Sequence, residues 1–204
     1  MSSLYAAKLK ESGHDVSILA RGPRLEQIRR DGIVLEDEGG GRRSVVPVPA
    51  VDGLGPCGRH DLILVVMRKD QVGSVLPALA AHRATPSVLF MMNNAAGPDE
   101  FIAAVGRERV LLGFPGAGGA REGGVVRYSL TSSKLQLTTI GELDGAVTPR
   151  IQALAEVLSG AGCPTVVSRD MDAWLKTTPR SSCPSPGRSI SPATTIGWPR
   201  TKRA

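Results

Sequence analysis

Apolar and polar positions along this chain fall into two rhythms. Leu4, Ala7 and Leu9 share a short helical stripe, Gly13 stands where a helix C′ glycine belongs, and residues 16–20 are a compact apolar run. This reads as a helix, a stop and a buried strand. Pro23 then opens a short helix with Leu25 and Ile28 on one face and Gly32 at its end. Residues 33–35 and 45–48 are strand candidates around a turn rich in acids, glycines and arginines. The triple glycine at 39–41 lacks the strand-to-helix context of a phosphate loop and reads as a flexible turn. Residues 61–67, Asp-Leu-Ile-Leu-Val-Val-Met, form the strongest apolar run, which suits a strand covered on both faces. A helix over 71–81 follows, then a strand at 87–92, a helix at 98–105 and a strand at 109–113. Repeated strand–helix cycles predict an α/β fold built on a doubly wound parallel sheet. Beyond it the pattern gives a strand at 125–129, entered by a turn at 115–119, a helix at 147–158, a short strand at 164–167 and a helix starting at Asp170.

In a dinucleotide-binding unit of this kind a strand and a glycine-rich turn precede the first helix, so that its N–H groups can hold a pyrophosphate. Here Met1 already stands at the helix start, and Ser2 occupies the place of the third glycine of G-x-G-x-x-G. The expectation is a Rossmann-like sheet lacking its first strand, with Ser2 and Ser3 at the cofactor. Ligands in such sheets sit beyond the carboxyl ends of the strands. The residues there are Arg21, Arg68 with Lys69, Asn93 with Asn94, and 115–119. Arg21 is the most informative, because an acid at its position would accept from a ribose hydroxyl whereas an arginine fork fits a 2′-phosphate. Arg21-Gly22-Pro23-Arg24 contains no acid, which favours NADP over NAD.

Composition narrows the class. With 204 residues, 41% hydrophobic and 22% charged, the chain can bury one good core, and it has no 18 consecutive apolar residues to span a bilayer. Lys8, Lys10 and Glu11 in the first helix argue against a signal peptide, so a cytoplasmic location is expected. Cys57, Cys163 and Cys183 lack metal or disulfide spacing, and His14, His60 and His82 are scattered singly and read as surface or loop residues; no metal is expected. Five of the net six positive charges lie in the acid-free stretch 177–204, leaving 20 basic against 19 acidic residues before it. A near-neutral body with 3% aromatics offers nucleic acid neither a basic face nor stacking platforms.

Several segments together resemble the N-terminal half of the ketopantoate reductases: Ser3-Leu4-Tyr5-Ala6-Ala7, Gly13-His14-Asp15-Val16, Leu19-Ala20-Arg21-Gly22, 61–67 with the following helix, Asn93, 120–126, and Trp174-Leu175-Lys176. The resemblance implies a Rossmann domain followed by a helical one, and reduction of the small keto acid 2-dehydropantoate with NADPH in the cleft between them. It implies Lys176 as the catalytic lysine that protonates the developing alkoxide, Asn93 near the nicotinamide ribose and substrate, and Arg68 at the cofactor position usually held by lysine. The chain departs from the pattern at Arg68, at Asn94 where the family has glycine, and at 115–119 where it has a threonine- and histidine-containing segment. A different keto acid, or a homodimeric assembly, therefore stays open.

The implied organisation is a cofactor-binding domain over 1–168, the start of a helical domain at 169–176, and a tail at 177–204. Five prolines, five serines and five threonines in that 28-residue tail predict disorder. Back-translated into GC-rich codons and entered two bases later, 178–198 gives an apolar helix, which suggests a shifted reading frame. Three readings remain: a reductase of this family, a truncated non-catalytic remnant of one, and a different Rossmann hydroxy-acid dehydrogenase.

Overall fold

The computed structural model describes residues 1–55, 60–130 and 137–177, and the backbone of 194–196. Its centre is a run of parallel strands whose side chains alternate between two cores. In β5 (Leu62–Val65) and β6 (Val88–Met91), Leu62, Leu64, Leu89 and Met91 enter one core while Ile63, Val65, Val88 and Phe90 enter the other. This period-two division explains why 61–67 reads as unbroken hydrophobicity. β7 (Val110–Phe114) continues the parallel run beside β6.

Helices cover both faces. α1 (Ser2–Glu11) and α5 (Pro149–Gly160) contribute Leu4, Tyr5, Ile151, Leu154 and Leu158 to the first core. α3 (Leu76–Ala81), α4 (Asp99–Val105) and α6 (Met171–Thr177) contribute Leu79, Phe101, Val105, Met171 and Leu175 to the second. Phe90 and Phe101 stack there with ring centres 4.1 Å apart. The expected continuous helix over 71–81 is instead a 3-10 helix at Lys69–Ser74 followed by α3. Gly73 lowers helix propensity and Pro77 supplies no N–H, so the chain restarts at the proline.

The large sheet also contains β1 (Val16–Leu19), β4 (Ala50–Val51), β10 (Thr138–Glu142), β11 (Thr165–Val167) and β12 (Thr194–Ile196), in the order β11-β10-β7-β6-β5-β12-β1-β4. The slot expected to lack a strand is therefore filled. β12 runs antiparallel to both neighbours, Thr195 standing opposite Ser17 on one side and Ile63 on the other. Without it the facing N–H and C=O groups of β1 and β5 would be buried unpaired, which is costly enough to draw an extended segment into the gap. β12 falls within the stretch expected to be disordered; 178–193 and 197–204, with the frame-shift reading of them, lie outside the described residues.

A second sheet, β3-β2-β9-β8, consists of β2 (Ile33–Asp37), β3 (Arg43–Val46), β8 (Ala117–Glu122) and β9 (Val125–Leu130). The glycine-rich segment expected as a turn is thus largely the strand β8, paired antiparallel to β9. Ile33, Leu35, Val46, Val126 and Tyr128 from this sheet share the first core with α1. Packing on more than one side explains why Leu4, Tyr5, Ala6 and Ala7 are all fully buried, where the sequence suggested a single stripe. Tyr5 Oη lies 2.8 Å from Thr138 Oγ1, which also accepts from the Gly116 N–H at 3.1 Å, joining α1 to β10 and to the turn after β7. α2 (Gly22–Asp31) follows β1 and packs Leu25 and Ile28 inward.

Candidate functional site at the carboxyl edge of the large sheet

β1, β5, β6 and β7 point the same way, so the segments that follow them gather along one edge. At one corner is the start of α1. Met1 occupies its N-cap position without a side-chain cap, leaving that end suited to an anion. Ser2 and Ser3 are both buried in the first turn. Ser3 Oγ accepts a hydrogen bond of 3.0 Å from Arg24 Nη2, and Arg24 Nη1 donates to Gln27 Oε1 at 2.9 Å and to the Gly124 carbonyl at 3.4 Å. Arg24 is only 6% exposed, and these partners include no carboxylate. Burial, and then the charge of Arg121, push its guanidinium down to about 10. The same corner holds the Met1 ammonium down to about 6, through burial and then Arg121 and Arg24.

Glycine at 124 suits this arrangement. Its φ is +89°, and a Cβ there would lie 1.6 Å from Gln27 Nε2. The positive φ strains any residue with a side chain there, and Gln27 would also have to swing away from Arg24 to admit one.

Arg21 is at the N-cap of α2 in extended conformation and is exposed, so it is free to swing along the edge. Sequence reasoning names Arg21 and passes over Arg24. The signal is the second arginine of Arg21-Gly22-Pro23-Arg24: with Pro23 opening α2, Arg24 lies in its first turn, facing α1.

Arg68 is exposed and forms a two-pronged ion pair with Asp70, at 3.0 and 2.9 Å. Lys69 pairs with Glu100 and lies 5.4 Å from the Phe101 ring centre. Both cations beyond β5 already have carboxylate partners. After β6, Asn93 is exposed, whereas Asn94 is 2% exposed and donates from Nδ2 to the Gly97 carbonyl at 2.7 Å.

α6 closes the other corner. A Cβ at Gly97 would lie 4.0 Å from Asp172 Oδ1, so α6 approaches the turn that follows Asn93 and Asn94. Lys176, half-exposed, pairs with Asp172 one helical turn earlier. Trp174 packs against Phe114 with ring centres 5.3 Å apart, giving this corner an aromatic wall. Arg68 thus follows β5, Asn93 follows β6 and Lys176 lies in α6, while Ser2 and Ser3 open α1 and Arg21 caps α2. From β1 to β6 there are three inter-strand steps, about 14 Å at the usual spacing, a reach suited to an extended ligand.

An uncapped helix start beside a buried guanidinium without an acid fits a phosphate-bearing cofactor. Among the described residues no three metal-ligating side chains gather, and no helix is long and apolar enough to cross a membrane.

Known proteins share this fold. The chain is 28% identical over 173 residues to an uncharacterized oxidoreductase, YkpB, of Bacillus subtilis (strain 168), covering 83% of this chain and 55% of that protein. Its fold matches the 2-dehydropantoate 2-reductase of Geobacter metallireducens GS-15 with a TM-score of 0.69 at 22% identity, over 84% of this chain and 56% of that one. It also matches a D-mandelate dehydrogenase solved with NADH and anilino(oxo)acetate, with a TM-score of 0.69 at 20% identity, over 85% of this chain and 55% of that one. The chain spans little more than half the length of these relatives. Residues 1–145 match the family described as ketopantoate reductase PanE/ApbA, and a match over most of the chain, on a fold that these solved structures share, makes this protein a member of the ketopantoate reductase family.

Proposed function

We propose that the chain carries the cofactor-binding half of an NADP-dependent reductase of small 2-keto acids, with 2-dehydropantoate, reduced to pantoate, as its leading substrate. The observation that supports this most directly is the α1 corner, where Arg24 is buried without an acid and Arg21 stands exposed beside it. The start of α1 and Arg24 would hold the cofactor's phosphates, and Arg21 would read the 2′-phosphate. Arg68 would reach the cofactor only by releasing Asp70. When bound, the reduced nicotinamide supplies a hydride to the ketone carbon. Lys176 donates a proton from Nζ to the oxygen as its charge develops, and its ammonium stabilises that oxygen meanwhile. Asn93 orients the substrate and the nicotinamide ribose.

The division into a domain over 1–168 and the opening of a helical domain at 169–176 belongs to the same reading. So do a soluble cytoplasmic existence and a homodimeric assembly. The Phe114–Trp174 pair favours a second substrate class, aryl-substituted 2-keto acids, which would make this a hydroxy-acid dehydrogenase of different preference.

Titration of the purified chain with NADPH and with NADH, followed by nucleotide fluorescence, tests the cofactor assignment. Tighter binding of NADPH is expected, and a chain that binds neither is the non-catalytic remnant. Turnover with 2-dehydropantoate against an aryl keto acid then decides the substrate.

A further inference from the structure

At the opposite, amino-terminal edge of the large sheet, His60 precedes β5, His82 ends α3 and Thr85 precedes β6. The sequence suggests single surface histidines, but His82 is 5% exposed and its ring centre lies 6.1 Å from that of His60, at 38° between planes. His82 Nε2 is 2.9 Å from Thr85 Oγ1, while its Nδ1 is buried without a hydrogen-bond partner. Thr85 is itself fully buried, and Arg109 fixes this turn by donating to the carbonyls of Thr85 at 2.9 Å and His82 at 2.7 Å. In the tautomer whose Nε2–H donates to the hydroxyl, Nδ1 keeps a bare lone pair.

His60 is held below the ordinary imidazole range by burial and then by His82, against the opposing pull of Asp15 and Asp61. Metal–nitrogen bonds of about 2.0–2.1 Å, with each ring centre roughly 1 Å behind its nitrogen, put two imidazoles on one ion about 5–6 Å apart. The observed 6.1 Å lies just beyond that range, so the two rings would close slightly on an ion. Arg109 is committed to backbone carbonyls, and Asp15 and Asp61 supply the negative field.

We propose that His60 and His82 form a two-imidazole site for a divalent transition metal of the zinc, nickel or copper class, completed by water, with Thr85 orienting His82 from the outer sphere. This site lies across the sheet from the cofactor edge and does not depend on the reductase reading. The test is zinc titration of the tag-free full chain by calorimetry, with NMR of the histidine ring protons. One zinc per chain is expected, shifting the His60 and His82 resonances together and leaving His14 unmoved. His60→Ala, at a half-buried position that tolerates truncation, should weaken binding at least tenfold, and Thr85→Ala should weaken it about tenfold. Zinc binding that survives His60→Ala, disappears in Cys57→Ser, or shifts only one of the two rings would overturn the proposal, as would no binding by the folded wild-type chain.

Discussion

The two corners of the carboxyl edge handle positive charge in opposite ways. Beside α1, Arg24 is buried and its partners are a serine hydroxyl, an amide and a backbone carbonyl. Around β5 and α6, Arg68, Lys69 and Lys176 are more exposed, and each is paired with a carboxylate. A buried cation without an acid is expensive, and an anion arriving there relieves the cost. An exposed pair costs and contributes little, so its cation can leave its partner cheaply. On the proposed reading, the first corner would hold a ligand, and the second would release a charged group into a reaction.

The most severe test falls on the second corner. Lys176→Ala should reduce turnover by about 10²- to 10⁴-fold, the usual contribution of a positioned acid. Because its pair with Asp172 is exposed, the variant should melt within about 0.5 kcal/mol of the parent. A variant that keeps turnover would remove the lysine from the chemistry, and one that unfolds would make it a structural residue. Next in size is the seam between the corners. Thr195→Pro deletes a ladder donor in a strand paired on both sides and should cost about 3 kcal/mol. Hydrogen exchange should accelerate in Val16–Leu19 and Leu62–Val65 together; faster exchange in neither would mean that β12 does not hold the two halves.

That seam also shows where sequence reasoning works and where it stops. The strands β5, β6 and β7 are legible because burial on two faces makes them uniformly apolar, and α2 because Pro23 and Gly32 bracket it. β12 is not, since Thr194 and Thr195 lie among prolines and serines, and the strand forms to pair the backbone edges of β1 and β5 rather than from any pattern of its own. β10 escapes for a related reason: Thr138, Thr139, Gly141 and Glu142 are buried there, yet only Ile140 contributes a large apolar side chain. At the site, Arg21, Asn93 and Lys176 can be named from their positions after strands or by resemblance, whereas the carboxylate partners of Arg68 and Lys176 and the burial of Arg24 require the fold.

A pH series sharpens the comparison from the α1 side. Cys163 shares the core beneath α1, and burial pushes its thiol up to about 11, with Lys8 pulling weakly the other way. Between about pH 9 and 11 the unfolded chain releases this proton while the folded chain retains it, so stability should fall as pH rises through that window. The loss approaches about 2–3 kcal/mol at its upper end, from about 1.4 kcal/mol for each tenfold difference in proton affinity between the folded and unfolded chain. Denaturant melts at both ends of the window, in parent and Cys163→Ala, check this, because the variant should lose that part of the slope. An identical slope in both would place the thiol in contact with water.

The finest test returns to Arg24, set against Arg68. Arg24→Met keeps the length and apolar stem of the side chain while removing a buried charge that has no acid beside it. Folding stability should therefore hold or rise slightly, because the methionine leaves no charge to desolvate. NADPH affinity should fall by about 1.5–2 kcal/mol, the worth of a hydrogen bond to a charged group, or roughly 10- to 30-fold. Arg68→Ala should change affinity by less than half as much, since that guanidinium must first leave Asp70. If the order were reversed, with Arg68 dominant and Arg24 neutral, the cofactor's phosphates would lie beyond β5 rather than beside α1. The buried guanidinium would then serve only to tie the Gly124 turn to Ser3.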